Sequence, residues 1–309
     1  MKAHPKTEPI REAAVQEIGA ALYGPTPTLH WFHSEESRVY RLDFGGALPD
    51  KVLKVPNHYA HFVTDEQAVM GALSGLSLEV PPTEFTQQDH PQAPCPFTVM
   101  PLIIGRSFED IYQRDRRAAF RTFERIGRFT AGLASIPLDG VPGSVGSEEA
   151  RGDALDVWWE QQHSSLRRHA LDCADFERVF QEARGLMTTP PTIFGHRGGV
   201  EVITDGDSTF TVIDWRDGGA TWPHADLGQF LFGVKAWKGG WHDDLMPPLM
   251  DGYLAGRALD AETAHALYTW EAYQALLIAL YLEGLGWGEW TRHLIGIAEA
   301  AISAGRRPV

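Results

Sequence analysis

Hydrophobic and polar residues alternate in three short stretches near the start of the chain, as in half-buried β-strands. The stretches are rich in β-branched and aromatic residues, and polar, Gly or Pro turns separate them. An amphipathic helix is predicted before them, from about Arg11 to Leu22. Another is predicted after them over TDEQAVMGAL (64–73), with Thr64 as its N-cap. The three predicted strands are LHWFH (29–33), RVYRLDF (38–44) and KVLKVP (51–56).

The pattern changes after one more predicted strand, FTVMPLII (97–104). From there on, apolar residues recur at the spacing of an α-helix. The sequence therefore predicts an α+β protein with a strand-rich lobe over 1–100 and a helical lobe over 101–309. A cleft between two such lobes is a common place for a small-molecule site. The residues at helical spacing are Phe120, Phe123, Ile126, Phe129 and Leu133, and later Leu267, Trp270, Tyr273, Leu277 and Leu280.

Composition narrows the function classes. The 309 residues carry a formal net charge of −14, which disfavours a nucleic-acid partner and suits a cationic small molecule. Cys95 and Cys173 lie far apart without a CxxC spacing, so neither a disulfide framework nor a zinc site is expected. The N-terminal residues lack the apolar core of a secretory signal, and the longest apolar run, ALLIALYL (275–282), is too short to span a membrane. These features predict a cytoplasmic protein.

Three charged residues occur in the order that phosphoryl transfer requires. This chemistry needs a loop over the phosphates, a cation on them, a held metal ion and an aligned nucleophile. Lys54 lies in a predicted strand after the loop SEESRVYRL (34–42), Glu66 lies in the next helix, and Asp214 ends a later strand. Glu66 could pair with Lys54 and fix its ammonium group. Each residue also has an interpretation without a site: Lys54 as a solvated strand lysine, Glu66 as an exposed helix residue and Asp214 as a cap at a strand end.

The order of these pieces resembles the aminoglycoside phosphotransferase and choline kinase-like family, relatives of the protein kinases, over about residues 30–235. FTVIDWRDGGATWPHADLGQFL (210–231) is similar to the family's metal-binding Asp and later Asp-Leu pair, here Asp226-Leu227. FTVMPLIIGRSFEDI (97–111) resembles its hinge, and SRVYRL (37–42) its nucleotide loop. The resemblance implies a two-lobed protein-kinase-like fold that binds ATP and Mg²⁺ and phosphorylates a small-molecule hydroxyl. Its nucleotide-binding residues would be Ser37, Lys54, Glu66, Pro101 and Ile103.

The catalytic loop departs from the family's pattern, H-G-D-x-x-x-x-N. Counting back from Asp214 places Phe194-Gly195-His196 on H-G-D and Glu201 on the Asn. The resemblance therefore makes His196 the catalytic base and makes Glu201 and Asp214 the metal ligands. Histidine is the commonest general base, and Mg²⁺ accepts a carboxylate oxygen. Imidazole is nevertheless larger than a carboxylate, and a glutamate adds negative charge where phosphates bind.

Two functions remain open on these residues. One is an ATP-dependent phosphotransferase for a small molecule. The other is a nucleotide-binding pseudokinase or regulatory scaffold whose loop has lost turnover. A metal-hydrolase interpretation, with His196, Glu201 and Asp214 as ligands, is weaker because only one histidine is available locally. The acidic segment WHDDLMPPLMDGY (241–253) could face an amine-bearing substrate or be solvated, and Asp226 is expected to brace the catalytic loop.

Overall fold

In the computed structural model, the chain folds into two compact units. The first combines Met1–Glu109 with Glu201–Arg216, and the second combines Asp110–Val200 with Asp217–Val309. The described residues are 10–32, 37–56, 60–73, 85–87, 90–138, 160, 164, 174–196, 201–206, 210–215, 218–237, 241–258, 260–284 and 288–305.

An antiparallel five-stranded sheet forms the framework of the first unit, in the order β1-β2-β3-β5-β4. One face of the sheet packs with helix α1 around a core that includes Val15, Ile18, Leu42, Leu53 and Phe97. Burial of these side chains is the main driving force for this unit. Its elements are α1 (Glu12–Tyr23), β1 (Thr28–Phe32), β2 (Ser37–Asp43), β3 (Lys51–Pro56), α2 (Ala60–Leu73), β4 (Phe85–Gln87) and β5 (Phe97–Pro101).

A second sheet of the first unit is built from distant parts of the chain. β6 (Arg106–Ser107) pairs with β8 (Glu201–Thr204), which pairs in turn with β9 (Phe210–Ile213). Gly105 is required beside this sheet, because a Cβ there would lie 2.6 Å from Ile203 Cγ2. This strand pairing explains why residues 201–216 belong to the strand-rich unit. The sequence predicts them in the helical lobe, 101–309. We retain the two-lobe division as a proposal, with 201–216 added to the first lobe.

Helices make up most of the second unit, where a core cluster surrounds Phe180, Trp222, Trp270 and Tyr273. A short antiparallel pair joins β7 (Ile193–His196) to β10 (Gly218–Thr221). The helices are α3 (Phe108–Arg114, which begins just before the boundary between the units), α4 (Arg116–Leu133), α5 (Ala174–Met187), α6 (Ala225–Trp237), α7 (His242–Gly256), α8 (Ala261–Gly284) and α9 (Gly288–Gly305).

Helices α4 and α7 approach each other closely at two glycines. A Cβ on Gly127 would meet the Leu249 carbonyl oxygen and lie 2.7 Å from the Tyr253 nitrogen. A Cβ on Gly252 would meet the Glu124 carbonyl oxygen. At these two positions the backbones therefore approach each other with no side chain between them.

The sequence predictions of local structure are partly wrong at element ends. Thr64 is inside α2, which begins at Ala60, so it is not the N-cap. The predicted strand 97–104 ends at Pro101. The other predicted strands and the first helix agree with the structure within about one residue at each end. Among the described helices, none is both long and apolar enough to cross a membrane.

Candidate active site

Strand β3 places Lys54 on the face of the sheet opposite the core. Leu53 and Val55 are buried, with 0% and 2% of their surface exposed, and side chains alternate between faces along a strand. Lys54 pairs with Val39 of β2 on one side and Thr98 of β5 on the other, so its backbone is fixed within the sheet. The lysine thus presents its charge from a rigid central strand.

Lys54 contacts two carboxylates from distant parts of the first unit. Its Nζ donates to Glu66 Oε2 at 3.3 Å and to Asp214 Oδ1 at 2.6 Å. Only 15% of the Lys54 side chain and 5% of the Glu66 side chain are exposed, whereas Asp214 is 27% exposed. The predicted pairing of Lys54 with Glu66 is confirmed. The structure also joins Lys54 to Asp214, a contact that the sequence did not predict.

The backbone at Asp214 adopts a conformation that few residues tolerate. Its φ is 62°, in the left-handed region, directly after strand β9. Aspartate is one of the few non-glycine residues enriched there, and such positions concentrate at functional sites. Asp214 is therefore turned out of the strand direction at the point where its carboxylate meets Lys54.

The donor set suits a metal ion that arrives with phosphates. Mg²⁺ is usually bound through one or two carboxylates together with substrate phosphates, and the Asp214 carboxylate is partly exposed and of the hard oxygen type. Within the described part of the chain, no cluster of three or more His, Cys, Asp or Glu residues could hold a metal on its own. The Asp214 carboxylate therefore fits a cation that arrives with the nucleotide.

Glu201, the second predicted metal ligand, is the first residue of β8. Its backbone pairs with Ile213, the residue before Asp214. This register brings the two chain segments side by side, although the side chain of Glu201 lies outside the described residues. Sharing of an ion by Glu201 and Asp214 stays a prediction.

The predicted nucleotide-binding residues of the first unit occupy the sheet and the segment after it. Ser37 begins β2 and is 3% exposed. Pro101 ends β5 opposite Lys51, and Ile103 follows it half-buried. The N–H between them, that of Leu102, donates to the Asp50 carbonyl oxygen at 3.1 Å. This bond anchors the predicted hinge to the chain that leads into β3.

His196, the predicted base, is in the second unit at the end of strand β7 and is only 2% exposed. Its strand is tightly packed, since a Cβ on Gly195 would lie 2.7 Å from Thr221 Cγ2 and 2.9 Å from Asp226 Cβ. The contact confirms that Asp226 lies directly against Gly195, the glycine that the resemblance aligned with H-G-D. The rest of that loop, 197–200, lies outside the described residues.

A buried polar cluster in the second unit was not predicted from the sequence. His224 has a φ of 66°, and its Nδ1 lies 3.2 Å from the Tyr253 hydroxyl. Asp226 has no exposed surface, and Arg257 Nη1 lies 3.9 Å from its Oδ2. Among the described residues neither Asp226 oxygen accepts a hydrogen bond. Only the closely spaced His224 and Asp226 could have indicated this cluster, because Tyr253 and Arg257 lie about one helix later in the chain.

Burial shifts the acid–base behaviour of this cluster. It raises the pKa of Asp226 from 3.8 to about 6, against the opposing effect of the Arg257 charge. The N–H groups of Asp226 and Leu227 lower that pKa to a smaller extent without reaching hydrogen-bond geometry. Burial and then Arg257 lower the pKa of His224 from 6.5 to about 4. Burial also raises the pKa of Tyr253.

The acidic segment 241–253 forms much of helix α7. Asp244 accepts hydrogen bonds from the Tyr112 hydroxyl at 3.0 Å and from Arg116 Nη1 at 2.7 Å. Trp241 stacks on Tyr112 with ring centroids 4.3 Å apart. Asp244 is thus already paired with a cation of the protein itself, which weakens its candidacy as an amine-binding group.

Comparison with known proteins identifies the family to which these residues belong. The model of the phosphotransferase enzyme family matches residues 32–276, most of the chain and all three residues of the Lys54, Glu66 and Asp214 contact. A search of curated proteins finds no match.

Solved structures resemble the whole chain. The crystal structure of aminoglycoside phosphotransferase APH(4)-Ia matches with a TM-score of 0.68 and 14% identity, covering 96% of this chain and 100% of that one. A thermostable mutant of that protein, in a ternary complex with AMP-PNP and hygromycin B, matches with a TM-score of 0.67 and 14% identity, covering 95% and 99%. A microcompartment-associated aminopropanol kinase matches with a TM-score of 0.61 and 18% identity, covering 96% and 99%. These likenesses confirm the predicted α+β, protein-kinase-like fold.

Proposed function

Because the chain belongs to the phosphotransferase enzyme family, we propose that it is an ATP-dependent kinase that phosphorylates a hydroxyl group of a small molecule. The observation that carries this proposal is the contact of Lys54 with Glu66 and Asp214, a cation between two carboxylates on a rigid strand. Two structural neighbours support the proposal. One was crystallised in a complex with AMP-PNP, and the other is an aminopropanol kinase.

The roles of the first unit's residues follow from their charge and placement. Lys54 would bind the nucleotide phosphates as a point charge, and Glu66 would fix the direction of its ammonium group. Asp214 would hold Mg²⁺, which neutralises developing charge on the phosphates when it is bound. The backbone at Pro101 and Ile103 would contact adenine, the Pro101 carbonyl as acceptor and the Ile103 N–H as donor, and Ser37 would border the phosphates.

The altered loop, His196 to Glu201, departs from the family's catalytic-loop pattern at these two residues, which would complete the reaction. The substrate hydroxyl oxygen bonds to the γ-phosphorus, the bond to the β–γ bridging oxygen breaks, and ADP leaves. His196 would receive the hydroxyl proton, and Glu201 would assist Asp214 in holding the metal. The high acidity of the chain supports a cationic substrate and argues against nucleic acid. Location in the cytoplasm is part of the same proposal.

Separate substitutions of two lysines on strand β3 test whether Lys54 binds the nucleotide. Lys54→Ala should weaken ATP binding by roughly 10- to 100-fold while the protein stays folded, because it removes a charge rather than core volume. Lys51→Ala is the matched control, since Lys51 begins the same strand and lies over the Tyr23 ring instead. The measurement is a thermal-shift titration with ATP and Mg²⁺. Equal affinities in both variants and the wild type would reject the role of Lys54.

The alternative function, a nucleotide-binding pseudokinase, is favoured by one observation. His196 is 2% exposed, whereas a general base must come within hydrogen-bond reach of the substrate hydroxyl. His196→Asp separates the two functions in an ADP-release assay with a panel of hydroxyl-bearing amines. A gain in turnover identifies a decayed kinase site, and a sharp loss shows that the histidine has been recruited. Absence of ADP release from the wild type at every pH, together with intact ATP binding, supports the pseudokinase.

A further inference from the structure

Asp50, which lies between the turn after β2 and the start of β3, is held by its side chain. Its Oδ2 accepts from Arg41 Nε at 2.8 Å, and Arg41 Nη2 lies 2.6 Å from the same oxygen. Its Oδ1 accepts from the Phe44 N–H at 3.4 Å. Hydrogen bonds from a guanidinium to a carboxylate are charge-assisted and stronger than those between neutral groups. The Asp50 side chain is 18% exposed, so these contacts fix the end of the turn.

Arg41 is placed by strand β2, outside the hydrophobic core. Its neighbours Tyr40 and Leu42 are buried in that core. Arg41 therefore lies on the opposite face of the sheet, which also carries Lys54. Its Nη2 lies 3.6 Å from Asp43 Oδ2 in addition to its contact with the next carboxylate along the chain. Arg41 thus bridges the two ends of the β2–β3 connection, and its replacement by alanine takes no volume from the core.

The backbone of Asp50 contacts the predicted hinge, Pro101 to Ile103. Its carbonyl oxygen accepts from the Leu102 N–H at 3.1 Å. The Leu102 N–H and the Pro101 C=O belong to the same planar peptide group, and in a trans peptide such as this one they point in opposite directions. The bond therefore aims the Pro101 carbonyl away from Asp50. Leu102 follows the last residue of β5, so the bond lies at the end of the β3–β5 pair, where hydrogen bonds open most easily.

We infer that Arg41 and Asp50 are positioning residues for recognition of the nucleotide base, acting through the Leu102 N–H on the direction of the Pro101 carbonyl. The inference rests on the proposed function, which assigns that carbonyl to adenine. The contact of Arg41 with Asp50 keeps the end of the β3–β5 pair closed, so the carbonyl is oriented before the base arrives. Base recognition then depends on this ion pair, whereas phosphate binding depends on Lys54.

Amide hydrogen exchange on the nucleotide-free protein tests the geometry directly. The Leu102 amide should exchange roughly five- to tenfold faster in Arg41→Ala than in the wild type, because its acceptor is no longer held in place. Asp50→Asn should have the same effect, since it removes the charge that the guanidinium contacts. Lys51→Ala is the control, because it removes a positive charge from the next residue and should leave the Leu102 amide protected. Wild-type protection of this amide in Arg41→Ala or in Asp50→Asn overturns the inference.

Separate binding measurements on the base and on the phosphates test the consequence. Calorimetry gives the affinity for adenosine and the affinity for tripolyphosphate with Mg²⁺. Arg41→Ala should lower the adenosine affinity roughly five- to tenfold. It should lower the tripolyphosphate affinity no more than Lys51→Ala does, since both variants lose one positive charge. Lys54→Ala should show the opposite pattern, a loss for tripolyphosphate alone.

The possible results separate this inference from the proposed function. Equal losses for adenosine and tripolyphosphate in Arg41→Ala would show a general loosening of the first unit and contradict the positioning role. Wild-type adenosine affinity in Arg41→Ala also contradicts that role, and it leaves the proposed function intact. A wild type that binds neither ATP, adenosine nor tripolyphosphate refutes the proposed function, and with it this role.

Discussion

Replacing the titratable side chain of His224 and replacing that of Asp226 should change the pH dependence of the free energy of unfolding in opposite directions. Both residues are buried in the second unit, and burial disfavours the charged form of each. Burial raises the pKa of Asp226 to about 6 and lowers the pKa of His224 to about 4. Arg257 lowers both pKa values, and Asp260 partly restores that of His224.

The signs and magnitudes follow from proton linkage. Asp226 contributes stability that is present below its unfolded pKa of 3.8 and lost as pH rises through about 6, which corresponds to roughly 3 kcal/mol. His224 contributes stability that is present above its unfolded pKa of 6.5 and lost as pH falls through about 4, again roughly 3 kcal/mol. The two contributions oppose each other between pH 4 and 6.5 and nearly cancel in the wild type.

Single substitutions expose each contribution. His224→Asn keeps a residue that tolerates a φ of 66°, and its free energy of unfolding should rise relative to the wild type as pH falls from 6.5 to 4.5. Asp226→Asn should show the reverse, a relative gain as pH rises over the same range. The measurement is urea denaturation at half-unit pH steps, with wild-type values subtracted. Difference curves that stay flat within about 0.5 kcal/mol for both variants would refute the burial argument.

Two further predictions concern helix packing. Gly127→Ala should cost at least about 2 kcal/mol, because its Cβ would meet the backbone of α7. Gly132→Ala on the same helix, with nothing within 4 Å of the added Cβ, should be neutral or stabilising by up to about 1 kcal/mol. Chemical denaturation compares them, and equal effects would contradict the close approach. Lys235→Met should cost roughly 3 kcal/mol, since Lys235 Nζ lies 2.5 Å from the carboxylate of Glu271, which has no exposed surface. Adding Glu271→Leu should recover most of that loss, and a double variant as unstable as the single one would contradict the reasoning.

The parts of the site that could be predicted are those written in local pattern. The β-rich composition of KVLKVP (51–56) placed Lys54 in a strand, and the strand before Asp214 placed its carboxylate at a strand end. Glu66 was predicted as the partner of Lys54 because it lies early in the next predicted helix. Local pattern failed at helix α2, whose sequence continues one turn before Thr64 because helix formation there outweighs the cap signal.

The parts that could not be predicted depend on contacts between distant residues. No periodicity links Arg257 to Asp226, or Trp215 N–H to Glu66, because each pair meets only after the chain has folded. The close approach of α4 and α7 is likewise invisible in the sequence, since a helical glycine at a backbone contact and one in open space have the same local pattern. Polar contacts between residues that are far apart in the chain could therefore not be predicted from the sequence of this protein.

If the chain binds ATP as proposed, nucleotide capture and phosphoryl transfer should be separable properties. Lys54, Glu66 and Asp214 are fixed by contacts within one compact unit, through a strand, a helix and a turn that hold one another. His196 belongs to the other unit and is fixed by strand pairing and by the packing of Gly195. We expect changes at His196 to alter turnover while the Lys54, Glu66 and Asp214 contacts within the first unit stay in place. A kinase and a pseudokinase on this chain would share the contacts of Lys54, Glu66 and Asp214, and the chemistry at His196 and Glu201 would distinguish them.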